Sequence, residues 1–231
     1  MKKVIFTLVA LVASMSMNAQ VMKVMKNGEE VAKYNGADYT VVFEEAQGST
    51  TTGTAAATGI GNVGWVQLWA NGPKFAEYNV GAANNKAEDY GGYYAWGGSQ
   101  DKVDDHNTGT DVLTGDADTA TKLWGSAWRM STKAELEALL ANCDVEWTAV
   151  NGVNGRKFTG KGDYASNSVF IPAAGYCRNG SLYDQGDFGS YWSSTPNGSG
   201  DAYGLGFGSG YQGVYDGYLH GGFSVRAVLA E

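Results

Sequence analysis

The sequence is short of cysteine, histidine and proline, and each shortage excludes a class of protein. Among 231 residues there are two Cys, two His and three Pro. Two cysteines cannot form the framework of a disulfide-rich scaffold, and a zinc site made of cysteine alone would need four. Two histidines offer little for acid–base catalysis. With so little proline, and with no three-residue glycine period, the chain is not collagen-like.

Positive charge and long apolar runs are also scarce. The 16 Lys and Arg residues stand against 24 Asp and Glu residues, for a formal net charge of −8. Nucleic acid is not an expected partner, because phosphate binding needs clustered cations. No apolar run reaches the roughly 20 residues of a membrane-spanning helix, so we predict no transmembrane segment. What the chain does have is 34 Gly and 13% aromatic residues, enough to build a core.

The first twenty residues have the pattern of an export signal. Lys2 and Lys3 precede an apolar stretch over residues 4–12, which is too short to span a bilayer. We predict a signal peptide over residues 1–20, with cleavage after Ala19. The mature protein is then secreted or held at the cell surface.

Three segments follow the predicted signal peptide. Residues 21–46 have the alternation of a small β unit, with a hairpin turn at Asn27-Gly28. Residues 47–62 are rich in Thr, Ala and Gly and free of charge, which is typical of a flexible linker. Residues 63–231 form a single aromatic-rich domain in this interpretation.

One segment of that domain has a strong helical pattern. Thr132 and Glu135 have the spacing of a capping box, and Leu136, Leu139 and Leu140 after them fall on one helix face. Many short strands and long Gly-rich loops surround this helix. The combination predicts the α+β fold class.

The domain also carries a set of motifs in a fixed order. They are KFAEYNVG (74–81), EDYGGYYAWG (88–97), WGSAWRMSTKAELEALL (124–140), NGVNGRKFTG (151–160), FIPAAGY (170–176), YWSSTP (191–196) and GFSVRAV (222–228). Over roughly residues 63–229 they resemble the Fibrobacter-type major paralogous domain. The resemblance implies a C-type-lectin-like domain with short twisted antiparallel sheets, one clear helix and long Gly-rich loops. That fold is related to the formylglycine-generating-enzyme group.

The resemblance implies a fold more firmly than a function, and we expect neither calcium-dependent sugar binding nor an enzyme. The Glu-Pro-Asn, Gln-Pro-Asp and Trp-Asn-Asp triplets that hold calcium in sugar-binding C-type lectins are absent from the sequence. An enzyme of the formylglycine-generating type would need reactive cysteines in its C-terminal half, where Cys177 stands alone after the AAGY motif. Such an enzyme is kept as a minor alternative.

The most unusual segment spans residues 197–222. Its Tyr, Gly, Ser and Asp are typical of antibody-like paratopes, which combine rigid amphipathic rings with small adaptable residues. The residues predicted to contact a ligand are Tyr203, Gly204, Gly206, Gly208, Tyr211, Gly213, Tyr215, Asp216, Tyr218 and His220. A Gly-rich ribbon whose tyrosines only cover the core edge is the alternative. Domains with this C-terminal pattern include variable proteins of diversity-generating retroelements. Adenine-directed randomisation of an Asn codon would give no Lys, Glu, Gln, Met or Trp, and the segment contains none of these except Gln212. An ordinary Gly-rich loop would also lack several of them.

Two further candidates concern metal and sulfur chemistry. The loop over residues 101–118 holds six Asp residues and His106. This oxygen-rich set would suit calcium, and a solvated acidic loop explains it as well. We expect no other cofactor. Cys143 and Cys177 either form a disulfide after export or stay as two buried thiols.

Two functions of different classes follow. The first is an exported binding protein that presents the Tyr/Gly-rich C-terminal face to a protein or glycan ligand. The second is a structural or adhesive cell-surface subunit, an adhesin that assembles through residues 21–46 onto the sheet edge of a partner.

Overall fold

The structure, a computed structural model, divides into two compact units, Met1–Thr50 and Thr51–Glu231. It describes residues 51–99 and 105–230, together with the backbone of four strands within residues 2–44.

The first unit contains four strands, which are β1 (Lys2–Thr7), β2 (Val21–Lys26), β3 (Glu29–Asn35) and β4 (Tyr39–Glu44). Strands β2 and β3 pair antiparallel, as the hairpin pattern predicts, and the turn at 27–28 lies outside the described residues. Strand β1 pairs in parallel with β4. Because β1 lies within the predicted signal peptide, its removal on export stays a prediction.

The second unit is built mainly of strands. They are β5 (Thr52–Ala57), β6 (Gly61–Gln67), β7 (Lys74–Ala76), β8 (Trp128–Met130), β9 (Asp144–Val150), β10 (Val153–Thr159), β11 (Ser168–Pro172), β12 (Tyr176–Arg178), β13 (Ser181–Tyr183), β14 (Gly189–Asn197), β15 (Asp201–Phe207), β16 (Gln212–Tyr218) and β17 (Ala227–Leu229). The helices are α1 (Thr119–Trp124) and α2 (Lys133–Asn142), with short 3-10 turns at Gly115–Ala117 and Gly162–Tyr164.

These strands form four sheets in the second unit. The largest has the order β5-β6-β7-β17-β8, so the last strand of the chain lies between β7 and β8. Two antiparallel sheets of three strands follow, β11-β10-β9 and β14-β15-β16, and β12 pairs with β13 as a small hairpin. Strand β17, from the C-terminal end of this unit, is thereby paired with β7 from its N-terminal part.

The predicted fold class is wrong. The chain is mostly β, with several antiparallel sheets, and α2 is the one clear helix in the described residues; this is not an α+β, C-type-lectin-like arrangement. The helix signal is local, since a cap and three leucines within ten residues produce it. The short strands are stabilised by pairing between segments that are distant in the sequence. The periodicity of a single segment does not reveal such pairing.

The structure also differs from the predicted linker over residues 47–62. Residues 52–57 form β5, which pairs with β6 from Thr52↔Val66 to Ala57↔Gly61. Gly59 and Gly61 take positive φ values of 79° and 83° in the connecting turn. Backbone pairing needs no charged or apolar side chain, so the Thr/Ala/Gly composition hides this strand.

Helix α2 begins as the sequence predicts. The Thr132 side chain accepts from the Glu135 N–H, and the Glu135 carboxylate accepts from the Thr132 N–H, which is the capping box. Leu136 and Leu139 are buried in a cluster with Tyr191, Leu205 and Phe207, so the helix covers one face of the β14-β15-β16 sheet.

A buried arginine ties the sheets together. The Arg226 guanidinium donates to the Ala76 carbonyl, the Phe170 carbonyl and the Asn79 side-chain oxygen, each at 2.9 Å. Burial lowers the pKa of Arg226 to about 10. This side chain therefore links β7, β11 and the segment leading into β17.

Candidate functional site

Strands β15 and β16 have few side chains on one face of the β14-β15-β16 sheet, to which β14 contributes Ser190 and Trp192. Side chains alternate between the two faces of a strand, and Gly204 pairs with Tyr215 while Gly206 pairs with Gly213. These residues therefore share the face that points away from α2. A Cβ added to Gly206 would lie 2.9 Å from the Tyr215 ring and 3.3 Å from the Phe188 ring. The missing side chains allow aromatic rings to lie directly on the strand backbone.

A cleft of about 430 Å³ opens over this glycine face. Its aromatic lining comes from Tyr176, Phe188, Tyr215 and Phe223. The Tyr176 ring centroid lies 6.5 Å from that of Phe188 and 6.3 Å from that of Phe223, both edge-on. A concave, mostly apolar site of this volume has the size of known ligand pockets.

Polar groups are placed around the aromatic rings of the cleft. Ser190, Arg178 and Asp201 line it together with Tyr218 and His220, whose rings stack at 5.6 Å with an interplanar angle of 8°. Within the described residues, the Tyr215 and Tyr218 hydroxyls form no hydrogen bond with the protein. These groups can bond to a ligand without first breaking an internal bond.

Three tyrosines of the segment are strongly exposed. The exposed fraction is 54% for Tyr211, 50% for Tyr215 and 61% for Tyr218. The neighbouring β12–β13 hairpin adds Leu182 and Tyr183, which are 45% and 44% exposed. Clustered exposed apolar surface of this kind marks interaction sites.

The ten residues predicted to contact a ligand do not all lie together. Gly204, Gly206, Tyr215, Asp216, Tyr218 and His220 line the cleft, and Gly213 lies beneath the Tyr215 ring on the same face. Tyr203 does not line the cleft, because its ring centroid is 4.0 Å from Lys133 Nζ of α2, on the face that it shares with its cross-strand partner Asp216. Gly208 and Tyr211 belong to the turn between β15 and β16. The prediction thus combined two faces of one sheet, because a Gly/Tyr composition carries no period.

Arg156 on β10 holds that turn. Its guanidinium donates to the Gly208 carbonyl at 3.1 and 2.7 Å, to the Ser209 carbonyl at 3.2 Å and to the Tyr211 carbonyl at 3.4 Å. The side chain is only 6% exposed, and burial lowers its pKa. Tyr211 in turn has its ring centroid 6.0 Å from that of Phe188. The turn is fixed from outside the segment that sequence reasoning singled out.

The sequence interpretation missed the second wall of the cleft. Tyr176 and Tyr183 stack at 5.5 Å across the β12–β13 hairpin, which turns at Asn179-Gly180. An Asn-Gly turn between two aromatic strand residues was the signal that could have found this hairpin. Only the fold brings it beside β16.

One carboxylate of the acidic loop, that of Asp118, has a structural role. Asp118 caps α1 and accepts from the Thr121 N–H at 3.0 Å and the Met130 N–H at 2.8 Å, while burial raises its pKa. Asp101 and Asp104 lie outside the described residues. Across the residues that are described, no three His, Cys, Asp or Glu side chains come together as metal ligands.

The two cysteines lie on different elements. Cys143 is a free thiol, buried at the C-terminal end of α2, and burial raises its pKa to about 11. Cys177 lies on β12 and lines the cleft. The structure therefore does not join them, and the Cys143 thiol is protonated at neutral pH.

Comparisons with known proteins give one match. Residues 144–228 are similar to a family described as "Domain of unknown function (DUF8237)". No curated protein and no solved structure matches the chain. The matched range runs from the start of β9 into β17 and so includes the cleft. In the parts of the chain that the structure describes, no helix combines the length and apolarity needed to cross a membrane.

Proposed function

We propose that this is an exported ligand-binding protein whose glycine-floored aromatic cleft takes a protein or glycan ligand. The observation that supports the proposal is the exposure of Tyr211, Tyr215 and Tyr218 beside a cleft of about 430 Å³. Exposed rings held on a rigid sheet lose little side-chain entropy on binding, which is why tyrosine dominates paratopes and interface hot spots.

One feature of the cleft favours binding over catalysis. His220 is exposed and its ring stacks on that of Tyr218, and within the described residues no hydrogen bond joins His220 to a carboxylate or a nucleophile, as a catalytic triad requires.

The experiment replaces Tyr211, Tyr215 and Tyr218 together by Ala. We expect binding to a glycan and protein array to fall at least about thirtyfold, since hot-spot rings contribute about 2 kcal/mol or more, with a nearly unchanged melting temperature because all three rings are exposed. Tyr203→Ala, on the opposite face of the same sheet, is the control and should leave binding intact. A large loss of stability in the triple variant would assign the rings to the core and end the proposal.

The positions that could vary in this segment follow the exposure pattern. Tyr215, Asp216 and Tyr218 on β16 are exposed, whereas Leu205 on β15 is buried. Diversification by a retroelement, as part of this proposal, would act on the exposed set without disturbing the core. Sequencing the gene's surroundings tests it: a reverse transcriptase and an adenine-differing copy of the segment are expected, and the absence of both would refute it.

A further inference from the structure

Strand β16 is an uncovered edge of its sheet. The strand order is β14-β15-β16, so within the described residues β16 has a neighbour on one side only. It pairs with β15 over seven consecutive positions, from Asp201↔Tyr218 to Phe207↔Gln212, without a register shift. The edge is therefore regular over its whole length.

Two hydrogen bonds show which backbone groups point outward. The Gly208 N–H donates to the Tyr211 carbonyl at 2.9 Å, and the Leu219 N–H donates to the Gly200 carbonyl at 3.2 Å. Hydrogen-bonded pairs alternate along an antiparallel ladder, so the odd-numbered residues of β16 bond to β15. The N–H and C=O groups of Gln212, Val214 and Asp216 then face away from the sheet. Nothing in the described chain accepts from or donates to them.

This edge has little of the usual protection, with Asp216 as its one charged side chain. Natural edge strands are protected by charged side chains, proline or a bulge, because open N–H and C=O rows recruit other strands. The β16 sequence QGVYDGY contains no Pro and no Lys, and its pairing shows no bulge. Gln212 and Asp216 are exposed, so the outward groups can be reached.

We propose that the ligand is a basic, extended segment of another protein that adds to β16 as a fourth strand. This rests on the proposed function, since it names the kind of partner that the site takes. Main-chain bonds to Gln212, Val214 and Asp216 supply affinity, and side chains beside Tyr215 reach the cleft and supply specificity. A saccharide has no N–H and C=O groups at strand spacing, so it would leave the edge unpaired.

Charge selects the basic partner. Asp216 is the one charged side chain on β16, and opposite charges across a strand pair are stabilising. The chain has a formal net charge of −8, so two copies of it repel one another at this edge. A partner strand with Lys or Arg opposite Asp216 gains the favourable charge pairing and avoids the repulsion between two acidic chains.

The test selects peptides from a phage-displayed library of random octapeptides on the full-length protein and measures the synthetic peptides by calorimetry. The variants are Gln212→Pro, which removes one outward N–H while keeping the ladder to β15, and Asp216→Lys, which reverses the charge. We expect basic, β-branched peptides, bound about tenfold more weakly by each variant. In the unaltered protein the Val214 and Asp216 amides should exchange more slowly when a selected peptide is bound.

The outcomes separate this inference from the proposed function. Peptides that bind the variants as tightly as the original protein, or that leave the Val214 and Asp216 amides unprotected, would overturn strand addition while the cleft keeps its ligand. Binding only to neutral saccharides would do the same. A dimer of the protein that dissociates in Gln212→Pro would overturn the basic partner in favour of a second copy. If Gln212→Pro does not fold, amide exchange in the unaltered protein decides.

Discussion

Glycine has two different roles in the sheet that carries the site. A Cβ at Gly189 would overlap the ring of Phe207, which is fully buried and cannot move. A Cβ at Gly206 would press on Tyr215, whose ring is 50% exposed and can rotate away. The same residue type thus protects the core at one position and shapes the cleft floor at the other.

These roles predict opposite phenotypes for two glycine-to-alanine changes. Gly189→Ala should lower the free energy of unfolding by about 1–3 kcal/mol through overpacking. Gly206→Ala should leave the unfolding free energy nearly unchanged and weaken ligand binding, because Tyr215 is displaced. Thermal melts and binding measured on both variants check this. Equal losses of stability would show that both glycines serve only the core.

Arg156 is the residue whose effect on the site is indirect. Lysine cannot reproduce the guanidinium fork that reaches the Gly208, Ser209 and Tyr211 carbonyls. Arg156→Lys should therefore speed amide exchange in the 208–211 turn and weaken binding several-fold, with a stability loss of about 1–3 kcal/mol. Exchange that stays at its original rate would show that the turn holds itself.

At the scale of elements, α2 is the element that its own local sequence specifies most completely. The Arg129 guanidinium donates to both Glu135 oxygens, at 2.8 and 2.7 Å, while Glu135 also completes the capping box. Replacing Thr132 by Ala should cost about 1 kcal/mol. Urea unfolding of Thr132→Ala and Thr132→Ser measures this loss in the free energy of unfolding. The serine variant should keep most of the original stability, because its hydroxyl can also cap the helix.

The same carboxylate makes stability depend on pH. Burial acts to raise the pKa of Glu135, but hydrogen bonds from Arg129 and Thr132 outweigh it and leave the pKa below its ordinary value. The stabilisation by the Glu135 carboxylate is complete above about pH 4.3, which is the pKa of a glutamate in the unfolded chain. It is lost as the pH falls through the lower pKa that Glu135 has in the folded protein. The gap in melting temperature between the original protein and Glu135→Gln should therefore narrow below about pH 4. A gap that is constant with pH would contradict this role.

The elements show where sequence reasoning succeeds and where it does not. The capping box and the Leu136–Leu139 face depend on residues within two helical turns, so the sequence predicts them. Strand β5 was assigned to a linker, because its Thr, Ala and Gly carry no strand pattern and only pairing with β6 defines it. The β12–β13 hairpin was overlooked as a wall of the cleft for a similar reason: its position beside β16 depends on contacts far away in the chain.

At the scale of the molecule, the unit over residues 51–231 has its own core and contains the whole candidate site. A fragment of residues 51–231 should unfold cooperatively and bind ligand like the full chain. Circular dichroism melts and the array experiment test this. A fragment that fails to fold would show that the first unit is part of the same folding unit.

Deleting residues 21–46 separates the two functional hypotheses. If the protein binds ligand through the cleft, the deletion leaves ligand binding unchanged. If it is an adhesive subunit assembled through the β2–β3 region, surface assembly fails in the deletion variant. Cell-surface labelling and binding assays on the same variant distinguish these results.

The sequence by itself determined local features of this protein: the cap and leucine face of α2, the β2–β3 pairing, and the segment in which glycine and tyrosine concentrate. Each depends on side chains a few positions apart. The tertiary structure alone decided the mostly β architecture, the face to which each tyrosine points, the Arg156 anchor and the open edge of β16. These depend on pairing between segments far apart in the chain, and a Gly/Tyr composition without a period does not specify that pairing.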